Sequence, residues 1–405
     1  LLLSNGWNHR VKGKELIFVA GKRGNGEGTI AKRKNGKWAG AIVVGRNSDG
    51  SLNRKWFYGD TRKEVADKMQ PVLASIQKGE YIEQSSMLFS DWLDTWLTQY
   101  KKLAIKLTTY DSYEINIRYH IKPKMGHIKL KDIRTFDIQK FINDTYDNEA
   151  STALLRKLKN IVHGSLKQAV INQLIIRNPC EGIILPKHVQ KEVRAFSKEE
   201  EKSFLQNLGD DRLATAFKLD MVSGLRVGEL LGLSWKNVDL DNGIIKVRQT
   251  LIRIKDRSKN AQRSNKYIID DSTKTAAGRR NVPIPKAAVQ MLKEHKEKQE
   301  AEKQVAEGLY EDNDLLFCTA LGNRYIPRNV GRSFVRLTAK AGITGVNIHS
   351  LRHTYATRLF EKGVPAKTVS ELLGHTNVSH TLNIYTHVLP DMKSEAVKKL
   401  EYILM

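Results

Sequence analysis

Arg226, Lys274, His349, Arg352, His375 and Tyr385 are residues whose types and order suit chemistry on a phosphodiester. Two arginines offer planar forks that match non-bridging phosphate oxygens and neutralise the charge that builds there in a transition state. A tyrosine phenol can attack phosphorus once it loses its proton. His349 could take that proton, because an imidazole titrates near neutrality. Lys274 suits the proton that a leaving 5′ oxygen needs, and His375 could add one more hydrogen bond to the phosphate. Attack would join the Tyr385 oxygen to phosphorus and release a 5′-hydroxyl. The resulting 3′-phosphotyrosyl link keeps the bond energy, so another 5′-hydroxyl can reverse the step without ATP. The cations all come from the protein, so the scheme needs no metal and no other cofactor. Singly, each residue has a plainer use: a surface ion pair, a solvated lysine, a half-buried tyrosine, a structural histidine. His349 and His353 stand four apart, a spacing zinc sites use, but the glutamate of the metalloprotease motif is missing.

These side chains need elements to gather them. In the stretch Ser223-Gly224-Leu225-Arg226-Val227-Gly228-Glu229-Leu230, a glycine can end one helix as the next begins. Lys274 lies in a polar loop between two predicted strands. His349 and Arg352, three apart, share one side of a helix start. Gly374-His375 follows an apolar helix end, and Tyr385 comes ten residues after His375. The patterns predict helices over 211–223, 227–231, 286–306, 329–341, 351–361, 367–373 and 389–402. Strands are predicted over 244–254, 267–269 and 279–284. Helices around a small antiparallel sheet make this third segment, 191–405, an α+β domain.

Two further segments precede it. Residues 24–81 read as a small sheet and one covering helix: strand-like runs over 29–34, 38–44 and 54–58 are separated by Asn35-Gly36 and Ser48-Asp49-Gly50, and a helical stretch spans 61–79. Lys32, Arg33, Lys34, Lys37, Arg46, Arg54 and Lys55 lie here, interleaved with Trp38, Trp56 and Phe57. They predict a basic sheet face suited to the DNA major groove, with Trp38 and Phe57 as core. Residues 87–184 read as an all-helical unit of four helices. Phe89, Trp92, Leu93, Trp96 and Leu97 mark one, and Tyr113, Ile117 and Ile121 another that ends before Pro123. Phe136, Ile138, Phe141 and Ile142 mark a third, and Leu154 to Val170 a longer fourth. Lys101, Lys102 and Lys106 fall on outward faces, as candidate phosphate contacts. Ser197-Lys198-Glu199-Glu200 forms a capping box that restarts helical structure after a polar linker.

Composition agrees. A formal charge of +24 over 405 residues favours a polyanionic partner, since phosphate neutralisation releases counterions. Two cysteines, Cys180 and Cys318, supply neither a disulfide framework nor a four-ligand zinc site, as expected of a reducing cytoplasm. No apolar run has the length of a membrane span. The chain does not open with Met, so residues 1–23 are left as an N-terminal extension without assignment.

The motifs resemble those of the tyrosine recombinases, or lambda-type integrases, above all the integrases of conjugative transposons and temperate phages. The carrying residues are Gly224-Leu225-Arg226-Val227-Gly228-Glu229-Leu230, His349-Ser350-Leu351-Arg352-His353-Thr354, Leu372-Leu373-Gly374-His375 and Tyr385-Thr386-His387, in the family's order. Lys274, ahead of Arg279 and Val282-Pro283-Ile284-Pro285, fits the lysine box. The resemblance implies that Arg226, Lys274, His349, Arg352, His375 and the nucleophile Tyr385 are catalytic, with Glu229 supporting the first arginine. It implies a site-specific recombinase that integrates and excises a mobile element through a 3′-phosphotyrosyl intermediate. Residues 87–184 then correspond to the helical, SAM-like core-binding domain. Residues 24–81, with Gly28-Thr29-Ile30, Lys37-Trp38 and Trp56-Phe57-Tyr58, are similar to AP2-like arm-binding domains. The family further implies a homotetramer on two DNA sites, a Holliday junction, an excisionase or DNA-bending protein as accessory, and exchange of a C-terminal segment such as 389–405 between protomers. Packing of that helix on its own domain is the alternative. Two rival functions stand beside this one. A DNA-binding regulator explains the charge but leaves the six residues idle. A relaxing topoisomerase of the related tyrosine class has no use for the N-terminal domain.

Overall fold

A computed structural model describes residues 28–46, 49–77, 81, 86–187, 194–258, 265–271 and 278–384. The chain divides into two compact units after His188.

The described part of the first unit opens with an antiparallel sheet in the order β1 (Thr29–Lys32), β2 (Trp38–Arg46), β3 (Leu52–Gly59), followed by α1 (Arg62–Gln77). α1 lies close on the sheet: a Cβ on Gly40 would run into the Met69 sulfur and Val65, so a larger residue there would displace these side chains. Ile42, Val65 and Met69 form this small core, with Trp38 and Phe57 packed against it. The basic residues do not share one face. Side chains alternate along a strand, so Arg54 and Lys55 point to opposite sides. Lys55 lies 5.9 Å from the centroid of Phe57, on the side α1 covers, whereas Arg33 lies 4.9 Å from that of Tyr58 on the open side. The open face thus carries Arg33, Arg54, Trp56 and Tyr58 around the small residues Ala39 and Ala41. Lys34 and Lys37 sit at the β1–β2 turn, and Arg46 ends β2, donating to the Gly50 carbonyl.

The rest of this unit is helical: α2 (Phe89–Thr95), α3 (Leu107–Asn116), the short α4 (Lys122–Met125), α5 (Thr135–Asp147) and α6 (Thr152–Ile171). α2 and α3 each run on through a π-helical turn, Trp96–Lys101 and Ile117–Ile121. Phe89, Trp92, Leu93, Trp96, Ile138, Phe141, Leu158, Ile161 and Leu166 are buried together, and Trp92 Nε1 donates to the Ser165 carbonyl at 2.9 Å. Pro123 does not end its helix. It sits in the first turn of α4, where a missing N–H goes unnoticed after the π turn has shifted the register. Phe136 is 69% exposed, because Ile138, Phe141, Ile142 and Thr145 set the buried face and residue 136 falls opposite.

The second unit contains α7 (Lys198–Asn207), α8 (Ala214–Ser223), α9 (Val227–Gly232), β4 (Val238–Asp239), β5 (Ile244–Val247), β6 (Thr250–Lys255), β7 (Asn265–Asp270), β8 (Arg280–Pro283), α10 (Lys286–Ala306), α11 (Pro327–Lys340), α12 (His349–Glu361), α13 (Ala366–Leu373) and α14 (Val378–Ile384). Ser197 and Glu200 make the expected capping box, each side chain taking the other's backbone N–H. At its centre Phe196 meets Phe204, and Phe217 meets Phe334, edge to face, while Phe204 and Phe334 lie tilted against each other. The strand expected over 244–254 is two. β5 pairs with β4 and β8, and β6 pairs with β7 in a separate hairpin. The break falls at Arg248 and Gln249, whose side chains bind the carbonyls of Arg280 and Gly232. β6 then packs tightly on α9: a Cβ on Gly232 would stand 2.7 Å from the Leu251 nitrogen. Among the described residues, no helix is long and apolar enough to cross a membrane.

Candidate active site

α8 stops at Gly224, whose left-handed backbone (φ 59°) disfavours any side chain. A Cβ there would also stand 2.4 Å from the Tyr355 ring. This reversal places Arg226 at the start of α9 and turns the Gly224 carbonyl toward α12, where Arg352 Nη1 donates to it at 2.6 Å.

Glu229 anchors the first arginine. Its Oε2 accepts the Arg226 backbone N–H at 3.0 Å, and its Oε1 accepts Arg226 Nη1 at 2.8 Å. A second guanidinium reaches the same carboxylate: Arg280 Nη2 lies 2.8 Å from Oε2 and Nη1 3.2 Å from Oε1. Burial alone would raise the Glu229 carboxyl. The hydrogen bonds and charge of Arg280, with Arg226, outweigh it and hold the group at about 2.

Three guanidinium groups end on the last turn of α13. Arg280 Nε donates to the Leu372 carbonyl (2.6 Å), Arg352 Nη2 to that of Leu373 (2.5 Å) and Arg226 Nη2 to that of Gly374 (3.0 Å). Gly374 caps the helix in the left-handed region and hands the chain to His375. Arg352 Nη2 lies 3.0 Å from His375 Nε2, and His375 Nδ1 lies 2.7 Å from Thr381 Oγ1. A guanidinium only donates, so this pairing makes Nε2 the acceptor and Nδ1 the donor to Thr381.

The electrostatics follow from this crowding of cations. Arg352 is 7% exposed; burial, then Arg226 and Arg280, lower its pKa to about 10, which leaves it charged at neutrality. His349 opens α12 on an exposed edge, with its N–H on Asn347 Oδ1. Partial burial of its ring, then Arg352 and Arg226, lower its pKa below the ordinary 6.5, favouring the neutral imidazole. Asp220, fully enclosed in α8, is pushed up by burial, and its Oδ1 has no hydrogen-bond partner.

The structure therefore brings Arg226, Arg352, His349 and His375 into one neighbourhood, with Glu229 behind the first. Lys274 and Tyr385 lie outside the described residues, as does 389–405. Three contributors escaped the sequence reading: Arg280, Asp220 and Thr381. The lysine box pointed to Arg279, but that side chain is exposed and donates to the Asp271 carbonyl. The alternation of β8 marks the inward partner, since Arg280 shares a face with Val282, which is fully buried. Asp220 and Thr381 carried no such signal. In the first unit Lys101 ends the π turn after α2, Lys102 follows it and Lys106 immediately precedes α3.

Residues 190–392 match the Phage integrase family, and residues 88–146 the Phage integrase, N-terminal SAM-like domain. A "Tyrosine recombinase XerC-like" protein of Caldanaerobacter subterraneus subsp. tengcongensis is 36% identical over 379 residues, covering 91% of this chain and 97% of the relative. Among solved structures, the Tn1549 transposon integrase in complex with a circular intermediate DNA superposes with a TM-score of 0.65 at 21% identity, over 78% of this chain and 100% of that one. A lambda integrase tetramer bound to a Holliday junction gives a TM-score of 0.55 at 19% identity, over 89% and 96% of the two chains. These structural likenesses are of fold.

Proposed function

The chain belongs to the phage integrase family of tyrosine recombinases, enzymes that break and rejoin DNA strands, and we propose that Arg226, Lys274, His349, Arg352, His375 and Tyr385 are its catalytic residues. The observation that carries this reading is the anchoring of Arg226 and Arg352 on neighbouring carbonyls, Gly374 and Leu373, with His375 touching Arg352. Two guanidinium groups held this way can receive the non-bridging oxygens of one phosphate. His349, kept neutral, takes the phenolic proton as the Tyr385 oxygen bonds to phosphorus. The bond to the 5′ oxygen breaks, and Lys274 protonates that oxygen. In the pairing seen here His375 Nε2 accepts from Arg352, so its bond to a phosphate oxygen requires that pairing to open and Nε2 to carry the ring proton, with Nδ1 then accepting the Thr381 hydroxyl.

Residues 24–81 are the arm-binding module, with Arg33, Arg54, Trp56 and Tyr58 facing DNA. Residues 87–184 bind the crossover core, where Lys101, Lys102 and Lys106 supply phosphate contacts, and 191–405 carry out catalysis. The protein acts in the cytoplasm as a homotetramer on two DNA sites through a Holliday junction, exchanging 389–405 between protomers and assisted by an excisionase or DNA-bending protein. The substrate is a mobile element's ends and their target site. Incubation with nicked half-site DNA, resolved on a denaturing gel, tests the assignment. A covalent protein–DNA band that is lost in Tyr385→Phe supports it. A band that persists in Tyr385→Phe contradicts the nucleophile, and no band on any cognate site favours a regulator without chemistry.

A further inference from the structure

We propose that Arg280 is a positioning residue for strand cleavage, and that the last turn of α13 is the seat on which Arg226, Arg280 and Arg352 are set in register. The inference rests on the reading of Arg226 and Arg352 as phosphate-binding residues. Arg280 does not reach DNA itself: it is 8% exposed, and its donors are taken by both oxygens of Glu229 and by the Leu372 carbonyl.

Its effect is on what Arg226 is free to do. Glu229 is buried, and a buried carboxylate needs a full counter-charge. Arg280 meets it with a two-bond fork, so Arg226 need spend only its Nη1 and backbone N–H there. Arg226 accordingly stays 41% exposed and available to a ligand, whereas Arg280 is sealed. Without Arg280, Glu229 would either draw in the whole Arg226 guanidinium or take up a proton and release it from register.

The second half of the argument is the row of carbonyls. Leu372, Leu373 and Gly374 are consecutive, and each receives one arginine from a different segment: β8, α12 and the start of α9. Unpaired carbonyls at a helix end carry the negative pole of the helix, which favours cations there. The same turn leads directly into His375 and on toward Tyr385. Seating α13 therefore fixes the arginines in the same event that fixes the turn from Gly374 through His375 into α14.

The test is single-turnover cleavage of nicked half-site DNA by the full chain at saturating protein, with DNA affinity measured in parallel. Arg280→Gln should slow cleavage about 100-fold while affinity changes less than about threefold. In an Arg226→Ala background it should add less than about threefold, because both changes remove the same alignment. On DNA with a neutral methylphosphonate at the scissile position, the Arg280→Gln deficit should shrink to below about fivefold, since the charge that Arg226 meets is gone. An unchanged rate, full additivity with Arg226→Ala, or an undiminished deficit on the neutral linkage each overturns the proposal. Should Arg280→Gln lack a cooperative melting transition, Arg280→Lys carries the same comparisons. Lysine cannot span Glu229 and Leu372 together, so it should still be slowed about tenfold, and wild-type speed in that variant overturns the fork. If Arg226→Ala itself cleaves at the wild-type rate, the site assignment fails. If only Arg280→Gln is normal, this inference fails alone.

Discussion

The N-terminal sheet and the arginine cluster of the second unit are both rich in cations and use them in opposite ways. On the sheet, Arg33 lies over Tyr58 and Arg54 projects from an edge strand, both on an open face. Around α13 the guanidinium groups are fastened by carbonyls and a shared carboxylate, and Arg352 and Arg280 are nearly inaccessible. An exposed cation contributes affinity in proportion to the counterions it releases and tolerates imprecise placement. A cation that must meet charge appearing only in a transition state has to be in place beforehand, and burial with full hydrogen bonding achieves that. On the roles proposed for these residues, the contrast separates binding charge from reacting charge.

Four changes break or sharpen the comparison. Arg352→Ala has the largest expected effect: single-turnover cleavage should fall by about 10³-fold or more, while DNA affinity in a gel-shift assay stays within a few-fold. Parallel losses of both would put Arg352 among the binding charges. Gly224→Ala comes next, through the backbone that presents Arg226. Its left-handed φ and the Tyr355 ring should together cost about 1–3 kcal/mol of stability by thermal melting, with slower cleavage in the fraction that folds. A variant as stable as the parent would mean the turn relaxes freely.

The pH dependence is a smaller effect with a fixed sign. His349 is held below its ordinary 6.5, so the neutral base prevails at pH 7 and is lost only as pH falls through the lowered value. Cleavage should be flat from pH 7 to 8 and decline below 6.5 in single-turnover rates, and His349→Gln should flatten that acid limb. A limb centred above 6.5 would contradict the environment described. Smallest is Arg54→Ala on the open face of the sheet. It should weaken arm-site binding roughly threefold to tenfold, lower the salt-dependence slope by about one, and leave cleavage of half-site DNA unchanged.

Much of this organisation was legible in the residues, for identifiable reasons. Turn chemistry at Asn35-Gly36 and the capping box at Ser197 are local codes, and both elements form where the codes put them. The helix breaks at Gly224 and Gly374 were readable because only glycine suits a left-handed cap. Three readings missed, two through local geometry and one through a contact between distant segments. The basic face of the small sheet ignored strand alternation, which sends Lys55 to the covered side. Pro123 looked like a terminator because a π turn leaves no mark in apolar spacing. The strand over 244–254 breaks where Gln249 reaches the Gly232 carbonyl, a contact between distant segments. Arg280 was passed over in favour of Arg279 for a related reason: a charged residue at an inward strand position reads as an error until its buried partner, Glu229, is seen.

The central claim is that side chains from α9, α12 and the α13–α14 turn act on one phosphate joined to Tyr385. Trapping the covalent complex on nicked DNA, digesting it with nuclease and protease, and identifying the modified peptide by mass spectrometry tests this directly. A nucleotide carried through a 3′-phosphate on Tyr385 is the expected product. Linkage to any other residue, or through a 5′-phosphate, would contradict it.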